Sequence, residues 1–154
     1  MGKRPSRRRE RERAFQILYG LLFEPPRDAD DLSRIFSLTP DPEVLGSAGA
    51  EAHGFAWELV QGVWSKQEEL DRLVGQYSQH WRIERIARTD LTILRLALYE
   101  MLHRLDVPVK VAINEAIELA RQFGDENSRG FVNGILDAAA KAIDDGELRL
   151  YKGR

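Results

Sequence analysis

The chain contains no cysteine, and it has no run of about 18 consecutive apolar residues, the length that a membrane-spanning helix needs. The first absence excludes disulfides and thiolate chemistry and is typical of a reducing compartment. The second argues against a transmembrane helix. The N-terminus is basic but lacks the apolar core of a secretory signal. These absences predict a cytoplasmic protein with no membrane partner.

Residues that carry catalytic or metal chemistry are also scarce. The three histidines, His53, His80 and His103, have no carboxylate or cysteine at metal-ligand spacing. No glycine-rich loop of the P-loop or dinucleotide-binding type is present. Glu115 and Glu118 lie one helical turn apart, but no nucleophile or base accompanies them. We therefore predict no catalytic residues, no metal and no cofactor, in a protein that is not an enzyme.

Charge is distributed unevenly along the chain. Residues 1–13 carry seven Lys and Arg against two Glu, which is +5, so that the other 141 residues carry −7 within a net charge of −2. Six of the seven cations are arginine, which can form two hydrogen bonds to one phosphate. A basic arm on an acidic body is typical of polyanion-binding tails and favours nucleic acid. The alternative is a disordered, solubilising tail.

Hydrophobic periodicity predicts an all-α fold, because apolar residues recur at helical spacing and no stretch alternates long enough for a strand. The basic arm is expected to continue into a first helix that ends before Pro25-Pro26. A short helix is predicted over residues 28–37. At 154 residues the chain fits one domain. We predict a compact bundle of six or seven helices, with a basic arm at 1–13 leading into helix 1, the helical domain at 14–145 and a C-terminal tail at 146–154.

The most informative stretch runs from Val107 to Leu136 and predicts two helices with a turn between them. Pro108 suits the first turn of a helix, where no N–H is needed. Gly124 is predicted to be a left-handed C-cap, and Ser128 to cap the second helix. Two glycines, Gly130 and Gly134, interrupt that second helix. Since interior glycines weaken a helix, they indicate close packing or a partner.

Three stretches of the chain resemble the NusB family of bacterial transcription antitermination factors. Residues 107–120 read VPVKVAINEAIELA, followed by Phe123-Gly124 and by FVNGILD at 131–137, and they resemble the C-terminal signature of that family. The arginine-rich opening at 7–19, RRRERERAFQILY, and the central helix at 88–100, RTDLTILRLALYE, are similar to family segments too. The resemblance implies an all-helical fold of two small packed subdomains. It also implies a free-standing factor that supports processive rRNA transcription.

The resemblance implies that boxA-type single-stranded leader RNA is a ligand. By position, it assigns RNA binding to the arginine-rich start and to the last helix: Arg4, Arg7, Arg8, Arg9, Arg11 and Phe131. Arginines would contact phosphates and an aromatic ring would contact a base. The alternative for Phe131 is core packing beside Val132.

The resemblance also implies protein partners. The family pairs with the small-ribosomal-subunit protein that acts as NusE, and acts with RNA polymerase elongation complexes and other Nus factors. Tyr19 and Asp90 match family positions at the NusE interface. Their alternatives are a core-edge tyrosine and an acid favoured by the helix dipole in a first turn. A protein-interaction module or a homodimer, with only non-specific RNA binding, is the alternative for the whole chain.

Overall fold

The structure is a computed structural model that describes residues 6–39, 52–79, 81–104 and 106–150. In these ranges there are seven α-helices, one short 3-10 helix at Ile83–Arg85 and no strand, so the all-α prediction is confirmed. The helices are α1 (Arg7–Leu21), α2 (Ala29–Leu38), α3 (Gly54–Ser65), α4 (Gln67–Tyr77), α5 (Arg88–His103), α6 (Val109–Phe123) and α7 (Ser128–Asp144). The chain divides into two compact units after Trp64. The first unit holds α1 to α3, and the second holds α4 to α7.

Helix α1 begins within the basic arm, as the sequence predicts. Ser6 is its N-cap, and the Ser6 hydroxyl accepts a hydrogen bond of 3.2 Å from the backbone N–H of Arg9. Such a cap satisfies one of the amide groups left unpaired at a helix start. The apolar stripe that includes Ala14, Ile17 and Leu18 is buried. The arginines of the arm are therefore held on a helix from Arg7 onward.

Helix α2 confirms the short helix predicted in the least regular part of the sequence. Its N-cap is Asp28, whose carboxylate accepts the N–H of Asp31 at 2.8 Å. Asp31 in turn accepts the backbone N–H of Arg27 at 2.9 Å and the guanidinium of Arg34 at 2.7 Å. These bonds, led by the one from Arg27, lower the pKa of Asp31 to about 2. The N-terminus of α2 is thus stabilised by local charge.

In the second unit, α5 is the central helix and contacts α4, α6 and α7. Twelve of its 16 residues are buried, which leaves almost no solvated face. Among them is Arg95, whose guanidinium donates two hydrogen bonds to Asp71 of α4, at 2.6 and 2.8 Å. A buried arginine is tolerated when a carboxylate pairs with it in this two-pronged geometry. The pair fixes α4 against α5.

In the turn between α6 and α7, the predictions for Gly124 and Ser128 are both wrong in their geometry. Gly124 is not left-handed: its φ is −91° and its backbone is extended. Ser128 does not cap α7 by bonding to that helix; instead its hydroxyl accepts the N–H of Asp125 at 3.0 Å. A Cβ at Gly124 would collide with the Ser128 side chain and would lie 2.8 Å from the backbone oxygen of Ala120. Glycine is required here for space rather than for its φ.

The two interior glycines of α7 do not serve packing within the described residues. Both Gly130 and Gly134 are exposed, and nothing lies within 4 Å of a Cβ placed on either. The close-packing explanation for them is therefore wrong for this part of the chain. At both positions a side chain would point into open space.

We predict that Gly134→Ala raises the free energy of unfolding by about 0.5–1 kcal/mol, because alanine restricts the unfolded chain and meets no neighbour in the helix. Gly124→Ala is the matched control, and it should lower stability because of the collision with Ser128. Thermal unfolding followed by circular dichroism measures both changes. Equal shifts in the same direction for the two variants would contradict this account.

Candidate nucleic-acid interface

The arginines predicted to bind RNA occupy the first turns of α1, but they are not equally accessible. Arg7 and Arg8 are exposed, Arg9 is partly buried, and Arg11 is only 4% exposed. Arg4 lies outside the described residues. The helix dipole disfavours cations at a helix N-terminus. Through that dipole, these arginines therefore weaken α1 rather than stabilise it.

The buried side of this segment packs against the start of α3. The guanidinium groups of Arg7 and Arg11 lie 4.3 and 5.2 Å from the ring centroid of Phe55, within the range of cation–π attraction. Between them, a carboxylate oxygen of Glu10 accepts the backbone N–H of Ala56 at 3.3 Å. Glu10 thereby satisfies one unpaired amide of the first turn of α3. The arginine-rich turn is held to a second helix by one acid and one aromatic ring.

Neither Phe55 nor Glu10 was recognised as part of this site from sequence. Phe55 fits the apolar stripe of α3, and Glu10 counts only as a negative charge that reduces the basic character of the arm. Their signal in the sequence is weak because 45 residues separate them along the chain, and only folding brings them together.

Arg13, the last arginine of the arm, also contacts residues of its own unit. Its guanidinium lies 4.2 Å from the Phe36 ring centroid and donates to the carbonyl of Thr39 at 2.9 Å.

An aromatic row follows on the same helix. The Tyr19 ring stacks on Phe15 at 6.0 Å between centroids and meets Phe23 edge-to-face at 5.3 Å. Phe15 is buried, Tyr19 is partly buried, and Phe23 is 54% exposed. The row thus runs from the core of the first unit to its surface. Tyr19, predicted at a protein interface, lies at the boundary between the two.

Asp90, which is predicted to lie at the partner interface, is in the first turn of α5. Its side chain is buried, and the residue is only 9% exposed. Burial raises the pKa of Asp90, although a hydrogen bond from Ser128 partly opposes this. The nearby charge of Asp125 raises it further. The Asp90 Oδ1 atom is buried with no hydrogen-bond partner among the described residues. The second unit therefore holds an under-satisfied acid near its surface.

Phe131 lies on α7 in the second unit, so the predicted RNA contacts are divided between the two units. Its neighbour Val132 is fully buried, whereas Phe131 itself is partly exposed. Its ring meets that of Trp81 edge-to-face, with 5.6 Å between centroids. Trp81 is 50% exposed. Phe131 therefore belongs to a surface aromatic pair rather than to the centre of the core.

The described residues contain no group of three or more His, Asp or Glu that could hold a metal ion. His103 stacks on Tyr99 and lies 3.4 Å from Glu69, while Glu118 accepts a hydrogen bond of 2.7 Å from Arg121. His80 lies outside the described ranges. No helix in those ranges is both long and apolar enough to cross a membrane.

Comparison with known proteins gives consistent matches along most of the chain. The NusB family model matches residues 8–141. The transcription antitermination protein NusB of Nitratidesulfovibrio vulgaris (strain DP4) is 55% identical over 145 residues, which cover 94% of each chain. That of Myxococcus xanthus (strain DK1622) is 42% identical over 139 residues, covering 90% of this chain and 97% of the relative.

Solved structures agree with the fold. NusB of T. maritima superposes with a TM-score of 0.76 at 35% identity, covering 90% of this chain and 93% of that one. A crystal structure of the antitermination factors NusB and NusE in complex with double-stranded RNA contains a chain that superposes with a TM-score of 0.69 at 21% identity. That match covers 88% of this chain and 96% of the other, and at this identity it shows the fold alone.

The raised pKa of Asp90 leads to a prediction about stability and pH. Because the folded carboxyl holds its proton more tightly than the unfolded one, ionisation of Asp90 disfavours the folded state. Asp90→Asn removes that charge, so the variant should be more stable than the parent at pH 7. The difference should shrink as pH falls through the raised pKa and vanish below the ordinary value of 3.8.

Urea unfolding of the parent and Asp90→Asn, repeated between about pH 3 and 7, measures this difference. Asp31→Asn is the control of opposite sign, because the pKa of Asp31 is lowered to about 2. That variant should be less stable than the parent at neutral pH, and the gap should close as pH falls from about 4 towards 2. A gap for Asp90→Asn that widened on acidification would contradict the raised pKa.

Proposed function

The chain belongs to the NusB family, and we propose that it is an RNA-binding transcription antitermination factor. It binds boxA-type leader RNA together with NusE, the small-ribosomal-subunit protein, and so supports processive rRNA transcription in the cytoplasm. The observation that carries this proposal is the match to the NusB family over residues 8–141. The exposed arginines at the start of α1 supply a surface of the required charge.

The RNA side of the proposal rests on how α1 presents its arginines. Arg7 and Arg8 are both exposed, although the Arg7 guanidinium, like that of Arg11, lies over the Phe55 ring. The segment therefore packs on α3 while part of its charge remains accessible to solvent. A guanidinium can bind a phosphate with two parallel hydrogen bonds. Because these groups sit on a capped helix, their backbone is ordered before RNA arrives, which reduces the entropy lost on binding. Arg7, Arg8 and Arg9 are the proposed phosphate contacts in the first unit.

The protein side rests on Tyr19 and Asp90. The aromatic row of Phe15, Tyr19 and Phe23 reaches the surface at the half-exposed Phe23 ring. Aromatic anchors of this kind often dominate protein interfaces. Asp90 has a buried oxygen that lacks a hydrogen-bond partner, which a donor from a partner would satisfy. The solved NusB–NusE complex supports NusE as that partner.

Two moderate interfaces are expected to reinforce each other. If NusE lowers the dissociation constant for RNA, then RNA must tighten NusE binding by the same factor. The assembled pair would dock leader RNA onto the elongating RNA polymerase with other Nus factors. This role needs binding surfaces rather than reactive groups, in keeping with the expectation that the protein is not an enzyme and needs no cofactor.

For RNA binding we predict that a labelled boxA-type single strand binds more tightly than its scrambled control, and that NusE sharpens the preference. Fluorescence anisotropy across a salt series measures both, with a log–log slope of about −0.7 per phosphate contacted. Arg8→Glu should weaken binding about tenfold, the equivalent of about 1.4 kcal/mol, and make the slope shallower. Arg72→Glu on α4, which changes the same charge at another exposed position, is the matched control.

A double-stranded RNA of the same sequence belongs in the titration, because the solved NusB–NusE complex contains double-stranded RNA. If every RNA bound with the same weak affinity, and NusE did not change that affinity, the antitermination proposal would be refuted. It would favour the alternative, a protein-interaction module or homodimer with only non-specific RNA binding. Light scattering of the free protein then distinguishes the monomer from the homodimer.

For NusE binding we predict that Tyr19→Ala weakens the complex while RNA binding by the free protein is unchanged. Asp90→Asn tests the second contact; reversal to lysine would be unsuitable, because a position that is 9% exposed cannot accept an unpaired cation without loss of folding. Isothermal titration of NusE into each variant measures the effect. If the two variants lost affinity for RNA but bound NusE normally, Tyr19 and Asp90 would not belong to the partner interface.

A further inference from the structure

We propose that Trp81 and Phe131 form a stacking platform for an unpaired RNA base, and that Arg82, Arg85 and Arg129 contact the adjoining phosphates. This inference rests on the proposed RNA-binding function and assigns it a second surface, within the unit of α4 to α7. Phe131 alone is expected from the family resemblance. Trp81 and the three arginines are added by the structure.

The platform begins with the two rings. Trp81 is half-exposed and Phe131 partly so, and their centroids are 5.6 Å apart at an interplanar angle of 76°. In an edge-to-face pair, the edge of one ring meets one face of the other, so the pair itself leaves the remaining ring faces uncovered. The indole N–H of Trp81 also has no hydrogen-bond partner among the described residues. The exposed aromatic surface can stack on a base, and the indole N–H can donate a hydrogen bond to the same ligand.

The backbone that carries Trp81 is tied down by its own turn. The Ser78 hydroxyl donates to the Trp81 carbonyl at 3.0 Å, and the Trp81 N–H donates to the Ser78 carbonyl at 3.4 Å. Ser78 is buried, and Gln79 adopts a φ of +60°, a left-handed conformation that residues other than glycine rarely adopt. These bonds tie the backbone of Trp81 to Ser78. Trp81 is therefore held in place before any ligand binds.

Three exposed arginines without an ion-pair partner among the described residues flank the pair in the sequence. Arg82 and Arg85 follow Trp81 closely in the chain, Arg129 precedes Phe131 by two residues, and all three are exposed. None of their side chains forms an ion pair or hydrogen bond with another described residue. The exposed acids of the same segments are Glu84, beside Arg85, and Asp125 and Glu126, which precede Arg129. Exposed arginines beside stacking rings are the combination that binds single-stranded nucleic acid without demanding one sequence.

The surface of α7 next to Phe131 adds an independent observation. Gly130 precedes Phe131, and Gly134 lies three residues beyond it, on the same side of the helix. Nothing lies within 4 Å of a Cβ placed on either glycine. Glycine inside a helix costs stability, so its presence at two open positions calls for a ligand that approaches the backbone closely. A sugar–phosphate chain running beside the stacked base is such a ligand.

The test compares Trp81→Ala and Trp81→Phe with the parent in the anisotropy titration of boxA-type RNA. Loss of one stacked base should weaken binding about tenfold for alanine, and phenylalanine should recover most of that loss because it keeps a ring. Val111→Ala, an exposed apolar residue of α6 in the same unit, is the matched control and should bind like the parent. Melting temperatures are recorded for every variant.

A direct readout separates stacking from a merely structural role. RNA should quench part of the parent's tryptophan fluorescence, and that part should disappear in Trp81→Phe, where Trp57 and Trp64 remain. In addition, Arg82→Gln with Arg85→Gln should make the salt slope shallower by about 0.7 per lost phosphate contact. Arg72→Gln serves as the charge control. If Trp81→Ala unfolds, Trp81→Phe and its quenching decide the question alone.

The outcomes separate the two proposals. If the parent binds boxA-type RNA and Arg8→Glu weakens it, while Trp81→Ala stays within about twofold and quenching persists in Trp81→Phe, the platform is refuted and the proposed function stands. If Trp81→Ala weakens NusE binding and not RNA binding, the pair is a protein surface and the platform is again refuted. If the parent binds no RNA, both proposals fail.

Discussion

The burial of α5 is the constraint on which the second unit depends. Twelve of its 16 residues are buried, and α4, α6 and α7 all contact it. A helix buried on every side must satisfy its polar groups internally, and Arg95 does so by its paired hydrogen bonds to Asp71. Asp90, at the start of the same helix, is satisfied only in part. The central helix of this unit thus also carries the acid that we propose for the partner interface.

In the first unit, the main constraint is that several cations lie at the N-terminus of a helix, where the helix dipole disfavours them. Ser6 caps α1, Glu10 reaches the amide of Ala56, and Phe55 lies beneath two guanidinium groups. The result is an arginine-rich turn with one face packed and the other in solvent. Because the segment is already ordered in the free protein, the proposed RNA ligand would not have to supply the free energy of ordering it. Stability and binding are here served by different sides of one segment.

Much of the fold could be predicted because helical period and turn residues are local signals. The continuation of the arm into α1 and the short helix α2 were both predicted from the helical spacing of apolar residues. The turn at Gly124 was predicted in the right place with the wrong geometry. A glycine signals that something is special about the backbone, but whether the reason is φ or space depends on a neighbour. Here the neighbour is Ser128, and its side-chain position follows from how α7 packs.

The sequence by itself determined the all-α class, the basic arm and the resemblance to the NusB family, because each is written in residue type and short-range spacing. Only the tertiary structure decided which arginines remain accessible, since the burial of Arg11 depends on Phe55, far away in the chain. It also decided that Phe131 lies at the surface beside Trp81 rather than in the core. Both decisions follow from contacts between distant segments, and such contacts leave no periodic signal in the sequence.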